Sequence, residues 1–311
     1  MTAIRTLMVT LAAFGALLAV PMSRAEDASP QTFWGTETAE AATLEKLYAS
    51  KAGTMGIASH AMVAACHDRS VEIGLDILRR GGSAADAFIA ASFADYVQSP
   101  GASSLGGPMA ALVYEAQTGE VQSLGAPLKA VQSLDGQWTV GEEALGKQVM
   151  VPGAVAGLEA LYRRHGRLPW PELVLPAARL ARKGFPVTPL FATITNAYAA
   201  ALTSSTYGRA AYLRPDASSY VVGSIIKLPV LAGTLEAIAR DGASYVQTGE
   251  WAQAAVVAVR ERGGEMTLAD LADYRPEWSK PLSITYRGRT IYGLGGHDSG
   301  GARLLLALKV L

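Results

Sequence analysis

Several features that would narrow the function are scarce or missing in this sequence. Its 311 residues include one cysteine, and its 27 basic side chains are matched by 27 acidic ones. A single cysteine excludes an internal disulfide, so core packing must hold the fold together. A net charge of zero provides no field that would attract phosphate backbones or anionic lipid. We therefore expect neither nucleic acid nor a membrane surface as a partner of the mature protein.

Patterns typical of metal and nucleotide sites are also missing. No ligand spacing such as H-E-x-x-H relates the four histidines, which are His60, His67, His165 and His297. The run that begins at Gly293, GLGG, lacks the glycine spacing of a dinucleotide fingerprint. We expect no metal and no cofactor.

The first 25 residues lack an apolar run long enough to span a bilayer. Arg5 precedes an apolar stretch of about 15 residues, whereas a spanning helix needs roughly 20. A small-x-small sequence, the pattern of a signal-peptide cleavage site, follows at Ser23-Arg24-Ala25. This order predicts a cleaved secretory signal over residues 1–25 and a periplasmic or secreted protein, with a membrane anchor as the alternative. Residues 26–55 are polar and without a sustained period, which indicates a loosely ordered mature N-terminus.

Half of the residues are hydrophobic, so the chain can bury a large core. Cys66 is expected in that core, because cysteine is among the most buried residue types, with a catalytic thiol as the alternative. The alternation over Met109 to Leu124 predicts a β-hairpin. Apolar periodicity and glycine stops predict helices at Val71 to Leu78, Ala84 to Val97, Ala154 to His165, Glu172 to Lys183, Leu231 to Arg240 and Glu250 to Arg262. Ser83 is the expected N-cap of the second of these helices.

The most informative stretch runs from Val151 to Pro186 and reads VPGAVAGLEALYRRHGRLPWPELVLPAARLARKGFP. It begins with V-P-G-x-V-A-G-L, continues with a turn that ends in G-x-L-P-W and finishes with L-A-x-x-G-F-P. These three pieces, in this order and at this spacing, resemble the γ-glutamyltransferase family.

Four further blocks extend the resemblance over roughly residues 60 to 311. They are MVAACHDRSVEIGLDILRRGGSAADA, SSLGGPMAALVY, a run ending GGEMTLADLADYRPEW, and PLSITYRGRTIYGLGGHDSGGARLLLALKVL. The resemblance implies an α/β fold, the αββα sandwich of N-terminal-nucleophile hydrolases. It also implies that residues 56–311 are the large-subunit region of a precursor that cleaves itself, truncated before the small subunit. The sandwich would then be incomplete in this chain.

The resemblance implies a threonine nucleophile at the start of the small subunit, in a T-T-H-like sequence after the S-G-G helix. This chain ends inside that helix, so we assign no catalytic residue to it. The resemblance also implies an arginine that grips the α-carboxylate of the substrate, and Pro127 stands at its position. Because side chains alternate along a strand, Lys129 would face the same way and supply a weaker cation. The alternative is that Lys129 is a solvated surface charge.

Three hypotheses about function follow. The first is the large-subunit portion of an exported enzyme that hydrolyses or transfers γ-glutamyl amides such as glutathione, with the missing small subunit as its partner. The second is a truncated, catalytically silent protein that binds a partner through its uncovered last helix. The third, which rests on Pro127, is an acylase of the same family that acts on non-glutamyl amides.

Overall fold

The computed structural model describes residues 58–133, 146–296 and 299–310. The predicted signal, the predicted loosely ordered segment, His297 and Asp298 all lie outside these ranges. Within the ranges, no helix is long and apolar enough to cross a membrane.

Over these residues the α-helices are α1 (Asp68–Arg79), α2 (Ala84–Gln98), α3 (Ala154–His165), α4 (Trp170–Lys183), α5 (Pro189–Ala197), α6 (Ala199–Leu202), α7 (Thr206–Tyr212), α8 (Pro229–Asp241), α9 (Ser244–Gln247), α10 (Glu250–Arg260), α11 (Leu268–Ala272) and α12 (Ser299–Val310). The strands are β1 (Met109–Glu115), β2 (Glu120–Ala126), β3 (Phe185–Pro186), β4 (Ile225–Ile226), β5 (Glu277–Ser279), β6 (Leu282–Tyr286) and β7 (Arg289–Gly293).

Helices α1 and α2 form a close pair at the start of the described chain. A Cβ atom added to Gly74 would lie 2.9 Å from the Val63 side chain and 3.4 Å from the carbonyl oxygen of Ala87, so this part of α1 is closely packed. Helix α1 ends where Gly81 takes a φ of 87°, a conformation that suits glycine. Ser83 then begins α2 through a reciprocal capping box with Asp86, as the sequence predicts for this cap.

The Asp86 carboxylate also ties α2 to the turn before α4. It is fully buried and accepts hydrogen bonds from the backbone N–H groups of Ser83 (2.9 Å), Arg167 (3.0 Å) and Leu168 (3.1 Å). Burying a charge is costly unless such donors replace the lost water. One side chain therefore joins the start of α2 to the turn between α3 and α4, in the middle of the family-like segment.

A three-stranded antiparallel sheet with the order β1-β2-β5 lies beside these helices. The β1–β2 hairpin pairs Met109 with Ala126, and Gly119 at its turn has a φ of 73°. Strand β5 pairs with the last part of β2, where Gly125 lies opposite Glu277. Two smaller antiparallel pairs, β3–β4 and β6–β7, complete the described strands.

Helix α3 approaches this sheet closely because Gly157 within it and its N-cap residue Gly153, both from the VPGAVAGL sequence, have no side chains. A Cβ atom added to Gly157 would lie 2.6 Å from the Cβ of Ala126 and 2.9 Å from the Sδ of Met109. One added to Gly153 would overlap the Ala126 carbonyl oxygen and the Tyr274 hydroxyl. These glycines therefore fix the distance between α3 and the paired ends of β1 and β2.

The main core lies between α2, α4 and α8. The Phe93 ring meets Trp170 edge to face, with centroids 5.7 Å apart, an arrangement that aromatic rings favour. The buried indole of Trp170 donates to the carbonyl oxygen of Ile238 at 2.9 Å. This bond joins α4 to α8 and satisfies a polar group that burial would otherwise leave unpaired.

Helix α12 lies against β6 and β7 and has an uncovered apolar face. Leu305 is buried, whereas Leu306 and Val310, which lie one turn apart on the same face, are 63% and 87% exposed. The uncovered apolar face predicted for this helix is confirmed. Strand β1 exposes large side chains in the same way, at Tyr114 and Leu112.

Most of the predicted elements are confirmed, and their ends differ by at most three residues. Helices α4 and α8 begin earlier than predicted because Trp170-Pro171 and Pro229 start them, and proline suits the first turn of a helix. The prediction for Cys66 is wrong, since its side chain is exposed. It lies in the segment before α1, which joins no strand among the described residues and therefore leaves most of its side chains at the surface.

Candidate functional site

A cavity of about 340 Å³ opens where β1 begins and where β2 ends. Its wall is formed largely by backbone and small side chains, and it includes one carboxylate. The lining residues are Pro108, Met109, Ala110, Gly125, Ala126, Pro127, Leu128, Glu277, Ser279, Gly295, Gly296 and Ser299. Its volume is at the lower end of the range typical of small-molecule sites.

The end of β2 forms one wall of the cavity, and the side chain of Tyr274 fixes its position. The Tyr274 hydroxyl donates to the carbonyl oxygen of Pro127 at 2.6 Å. Burial, and to a smaller extent the charge of Glu277, raise the pKa of Tyr274 well above its usual range, so it stays protonated and remains a donor. Gly153 and Gly157 also lie close to Ala126, so this stretch of backbone has little room to move.

The opposite wall is the loop between β7 and α12. The Gly295 N–H group donates to the buried Ser123 hydroxyl on β2 at 2.9 Å. A Cβ atom at Gly295 would overlap the carbonyl oxygen of Lys280, so only glycine allows the loop to come this close. Helix α12 then starts at Ser299, which lines the cavity.

Glu277 is the one residue with an ionisable side chain among the described residues that line the cavity. Its Oε1 atom lies 3.4 Å from the Lys129 ammonium nitrogen. That ammonium also donates to the carbonyl oxygen of Arg275 at 3.1 Å and lies 5.0 Å from the centre of the Tyr274 ring. Both partners are partly exposed, so solvent weakens the pair.

Pro127, at the position of the family arginine, and Lys129 therefore lie in different surroundings. Pro127 lines the cavity, whereas Lys129 is not among its lining residues and its ammonium lies on Glu277 and Tyr274. The Lys129 backbone forms an antiparallel bridge to Val151, just before the first signature glycine. A role of Lys129 in binding substrate stays a prediction.

Of the histidines that the structure describes, none lines this cavity. His67 is buried, and its Nε2 atom is 2.7 Å from the Ser99 hydroxyl oxygen, but both side chains are only 3% exposed and have no access to a substrate. Burial lowers the pKa of His67, although Asp95 and Asp68 oppose the shift. His60 is exposed, and His165 lies beside Trp278. Among the described residues, no three His, Cys, Asp or Glu side chains could together hold a metal ion.

Three residues of the site were not identified from the sequence, namely Gly125, Glu277 and Ser279. The sequence feature that could have identified Glu277 and Ser279 is the E-W-S run after the D-L-x-x-Y motif. Alternation along a strand places both residues on one face. The pairing of that strand with β2 depends on contacts more than 140 positions apart in the chain, and local pattern does not reveal it.

Comparison with known proteins relates this site to a family. The sequence profile described as Gamma-glutamyltranspeptidase matches residues 70–311. Glutathione hydrolase 2 of Arabidopsis thaliana is 33% identical over 258 residues, covering 82% of this chain and 44% of that protein. The glutathione hydrolase 5 proenzyme of Rattus norvegicus is 33% identical over 276 residues, covering 81% and 45%.

The fold matches as well. The crystal structure of Helicobacter pylori gamma-glutamyltranspeptidase superposes with a TM-score of 0.78 at 28% identity, covering 83% of this chain and 76% of that one. The α/β fold expected from the sequence, that of N-terminal-nucleophile hydrolases, is therefore confirmed. The chain spans about half the length of the curated relatives it matches. This chain belongs to the gamma-glutamyltranspeptidase family.

Proposed function

We propose that this chain is the large-subunit part of an exported enzyme that hydrolyses or transfers the γ-glutamyl group of amides such as glutathione. The observation that carries the proposal is the cavity at the paired ends of β1, β2 and β5. Its walls come from the family's own sequence blocks, with the VPGAVAGL glycines behind one wall and the S-G-G helix start at the other. Export is supported by the signal-like pattern of residues 1–25.

In the proposed reaction, a threonine at the start of a small subunit attacks the amide carbonyl carbon of the substrate. Its own α-amine takes the hydroxyl proton and returns it to the leaving amine as the C–N bond breaks. Water or an acceptor amine then resolves the acyl-enzyme ester. The part of this chain is to hold the acyl group in a rigid cavity, and such positioning lowers the barrier by removing the freedom of the reactants.

The uncovered apolar surfaces support a small subunit as partner. Leu306 and Val310, one turn apart on α12, are exposed, and so is Tyr114 on β1; exposed apolar patches mark interaction surfaces. Strand β1 is also the edge of its sheet as far as the described residues go, and an edge strand can pair with a further strand.

The test is to express this chain together with a small-subunit segment that begins with a T-T-H-like sequence. We expect hydrolysis of γ-glutamyl-p-nitroanilide by the pair and by neither part alone. The matched control replaces the first threonine of the added segment by alanine, which should abolish turnover but not association. A pair that associates without turnover would instead support a silent partner-binding protein. Absence of both association and turnover would refute the proposal.

A further inference from the structure

A second cavity, of about 430 Å³, lies between α3, α9 and the chain that follows α11. Its volume falls within the range typical of small-molecule sites. The lining includes short apolar side chains, at Ala156, Ala160 and Pro276, and two guanidinium groups, at Arg163 and Arg275. No residue lines both this cavity and the one at the end of β2, so the two are separate.

The Arg275 guanidinium of this second cavity is held in a fixed position. Its Nη1 atom donates to the carbonyl oxygen of Ala272, the last residue of α11, at 2.6 Å and to that of Tyr274 at 2.8 Å. The Tyr274 carbonyl oxygen also accepts a hydrogen bond from Nε2 of Gln247, at 2.9 Å. The guanidinium is therefore oriented before a ligand arrives, which lowers the entropy cost of binding.

Arg275 retains hydrogen-bond donors beyond those that hold it. A guanidinium has five N–H groups in a planar fork, and the two on Nη1 are used by the two carbonyl oxygens. None of the described residues accepts a hydrogen bond from Nη2 or Nε of this side chain. These two atoms form an edge with parallel N–H groups, and a carboxylate can accept both through its two oxygens. The remaining donors thus match a carboxylate.

The charged side chains of the lining leave one guanidinium without a carboxylate partner. Glu159 and Arg163 lie one turn apart on α3, and the Arg163 Nη2 atom donates to the Glu159 Oε2 atom at 3.2 Å. No carboxylate among the described residues contacts the Arg275 guanidinium, whose printed partners are backbone carbonyl oxygens. An anion that enters the cavity would therefore meet a cation that is still unneutralised.

We propose that the second cavity binds a small organic carboxylate, with Arg275 as the residue that binds the carboxylate group. The side chains of Ala156, Ala160 and Pro276 supply apolar surface for the carbon skeleton of the ligand. An inorganic oxyanion such as phosphate could use the guanidinium but would leave this apolar surface uncovered. The proposal does not depend on the proposed function.

The test is binding of benzoate and benzamide to the full 311-residue chain, measured by ligand-observed NMR or titration calorimetry. The two probes have nearly the same shape, and only benzoate is charged. We expect benzoate to bind about tenfold more tightly, because hydrogen bonds between charged groups are stronger than those to a neutral amide. Arg275→Gln should weaken benzoate binding by about tenfold, and Arg275→Lys should retain only part of the affinity, because lysine keeps the charge without the paired donors.

The matched control is Arg209→Gln. Arg209 is an exposed arginine whose Nη1 atom also donates to a backbone carbonyl oxygen, that of Thr203 at 2.9 Å, but it lies outside the cavity. This variant should bind benzoate as tightly as the unaltered chain does. The melting temperature and circular dichroism spectrum of each variant show whether it is folded.

Several results would overturn the proposal. These are no saturable binding of benzoate to the unaltered chain, equal affinities for benzoate and benzamide, and undiminished benzoate binding by folded Arg275→Gln. If Arg275→Gln does not fold, full benzoate affinity of Arg275→Lys would overturn it instead. Inorganic phosphate that binds as tightly as benzoate would also overturn it, because the apolar surface would then contribute nothing. Failure of the reconstituted pair to hydrolyse γ-glutamyl-p-nitroanilide bears only on the proposed function.

Discussion

The packing of α3 on the sheet can be tested with one substitution and an internal control. Gly157 and Gly233 both lie inside helices, α3 and α8, where replacing glycine by alanine stabilises a helix by about 1 kcal/mol. The two sites differ in their surroundings. A Cβ atom at Gly157 would lie 2.6 Å from the Ala126 Cβ, whereas one at Gly233 would have no neighbour within 4 Å.

The magnitude follows from this difference. Ala126 belongs to the paired end of β2, so it can move only together with the sheet, and forcing extra volume into such a place costs about 1 to 3 kcal/mol. Gly233→Ala should therefore raise the free energy of unfolding by about 1 kcal/mol. Gly157→Ala should lie below Gly233→Ala by about 1 to 3 kcal/mol, because it gains the same helix propensity and adds the overpacking.

The assay is urea denaturation of both variants followed by far-ultraviolet circular dichroism, with the slope m compared to confirm that the unfolding transition is unchanged. If Gly157→Ala gains as much stability as Gly233→Ala, the close approach of α3 to β2 is refuted.

Three further predictions concern stability. Asp86→Ala should lower the free energy of unfolding by about 2 kcal/mol or more, because three partly buried backbone N–H groups lose their acceptor, including those of Arg167 and Leu168. Asp86→Asn keeps an acceptor oxygen and should lose less. Burial lowers the pKa of His67 in the folded state below its ordinary value of 6.5. The stability that His67 contributes should therefore be complete above pH 6.5 and should be lost as the pH falls through the lowered pKa. We expect His67→Gln to flatten this part of the pH profile of the melting temperature. Thr267→Ala should cost about 1 kcal/mol, since it removes half of the capping box of α11.

Each of these predictions has an outcome that contradicts it. Equal losses for Asp86→Ala and Asp86→Asn would mean that the hydrogen bonds do not account for the stability. A pH profile unchanged by His67→Gln would assign the acid sensitivity to other groups. A Thr267→Ala variant as stable as the unaltered chain would show that the cap makes no net contribution.

Local signals in the sequence were enough to predict much of the fold. The Ser83 cap, the glycine after α1 and the alternation of β1 and β2 each act over a few residues, so a single sequence reveals them. The family resemblance supplied the expected fold and directed attention to Pro127, which does line the cavity.

The chemistry of the cavity could not be predicted in the same way. Glu277 reaches the cavity because β5 pairs with β2, and the direction of the Lys129 side chain depends on Arg275 and Tyr274. Strand alternation placed Lys129 on the side of Pro127, but its backbone bridge to Val151 and these tertiary contacts determine where the ammonium lies. The exposure of Cys66 also depends on tertiary structure. The general tendency of cysteine to be buried does not reveal that the segment around Cys66 has no strand partner among the described residues.

The central claim is that the cavity beside Gly125 is where the acyl group binds. It is tested most directly by Gly125→Val in the chain co-expressed with a T-T-H-containing small subunit, with Gly233→Ala as the control that leaves the cavity alone. Valine suits a strand and fills the space beside Glu277, where the nearest atom to an added Cβ is 3.9 Å away. We expect Gly125→Val to associate and fold normally and to lose hydrolysis of γ-glutamyl-p-nitroanilide, while Gly233→Ala keeps it. Unchanged turnover by a folded Gly125→Val enzyme would contradict the assignment of the site.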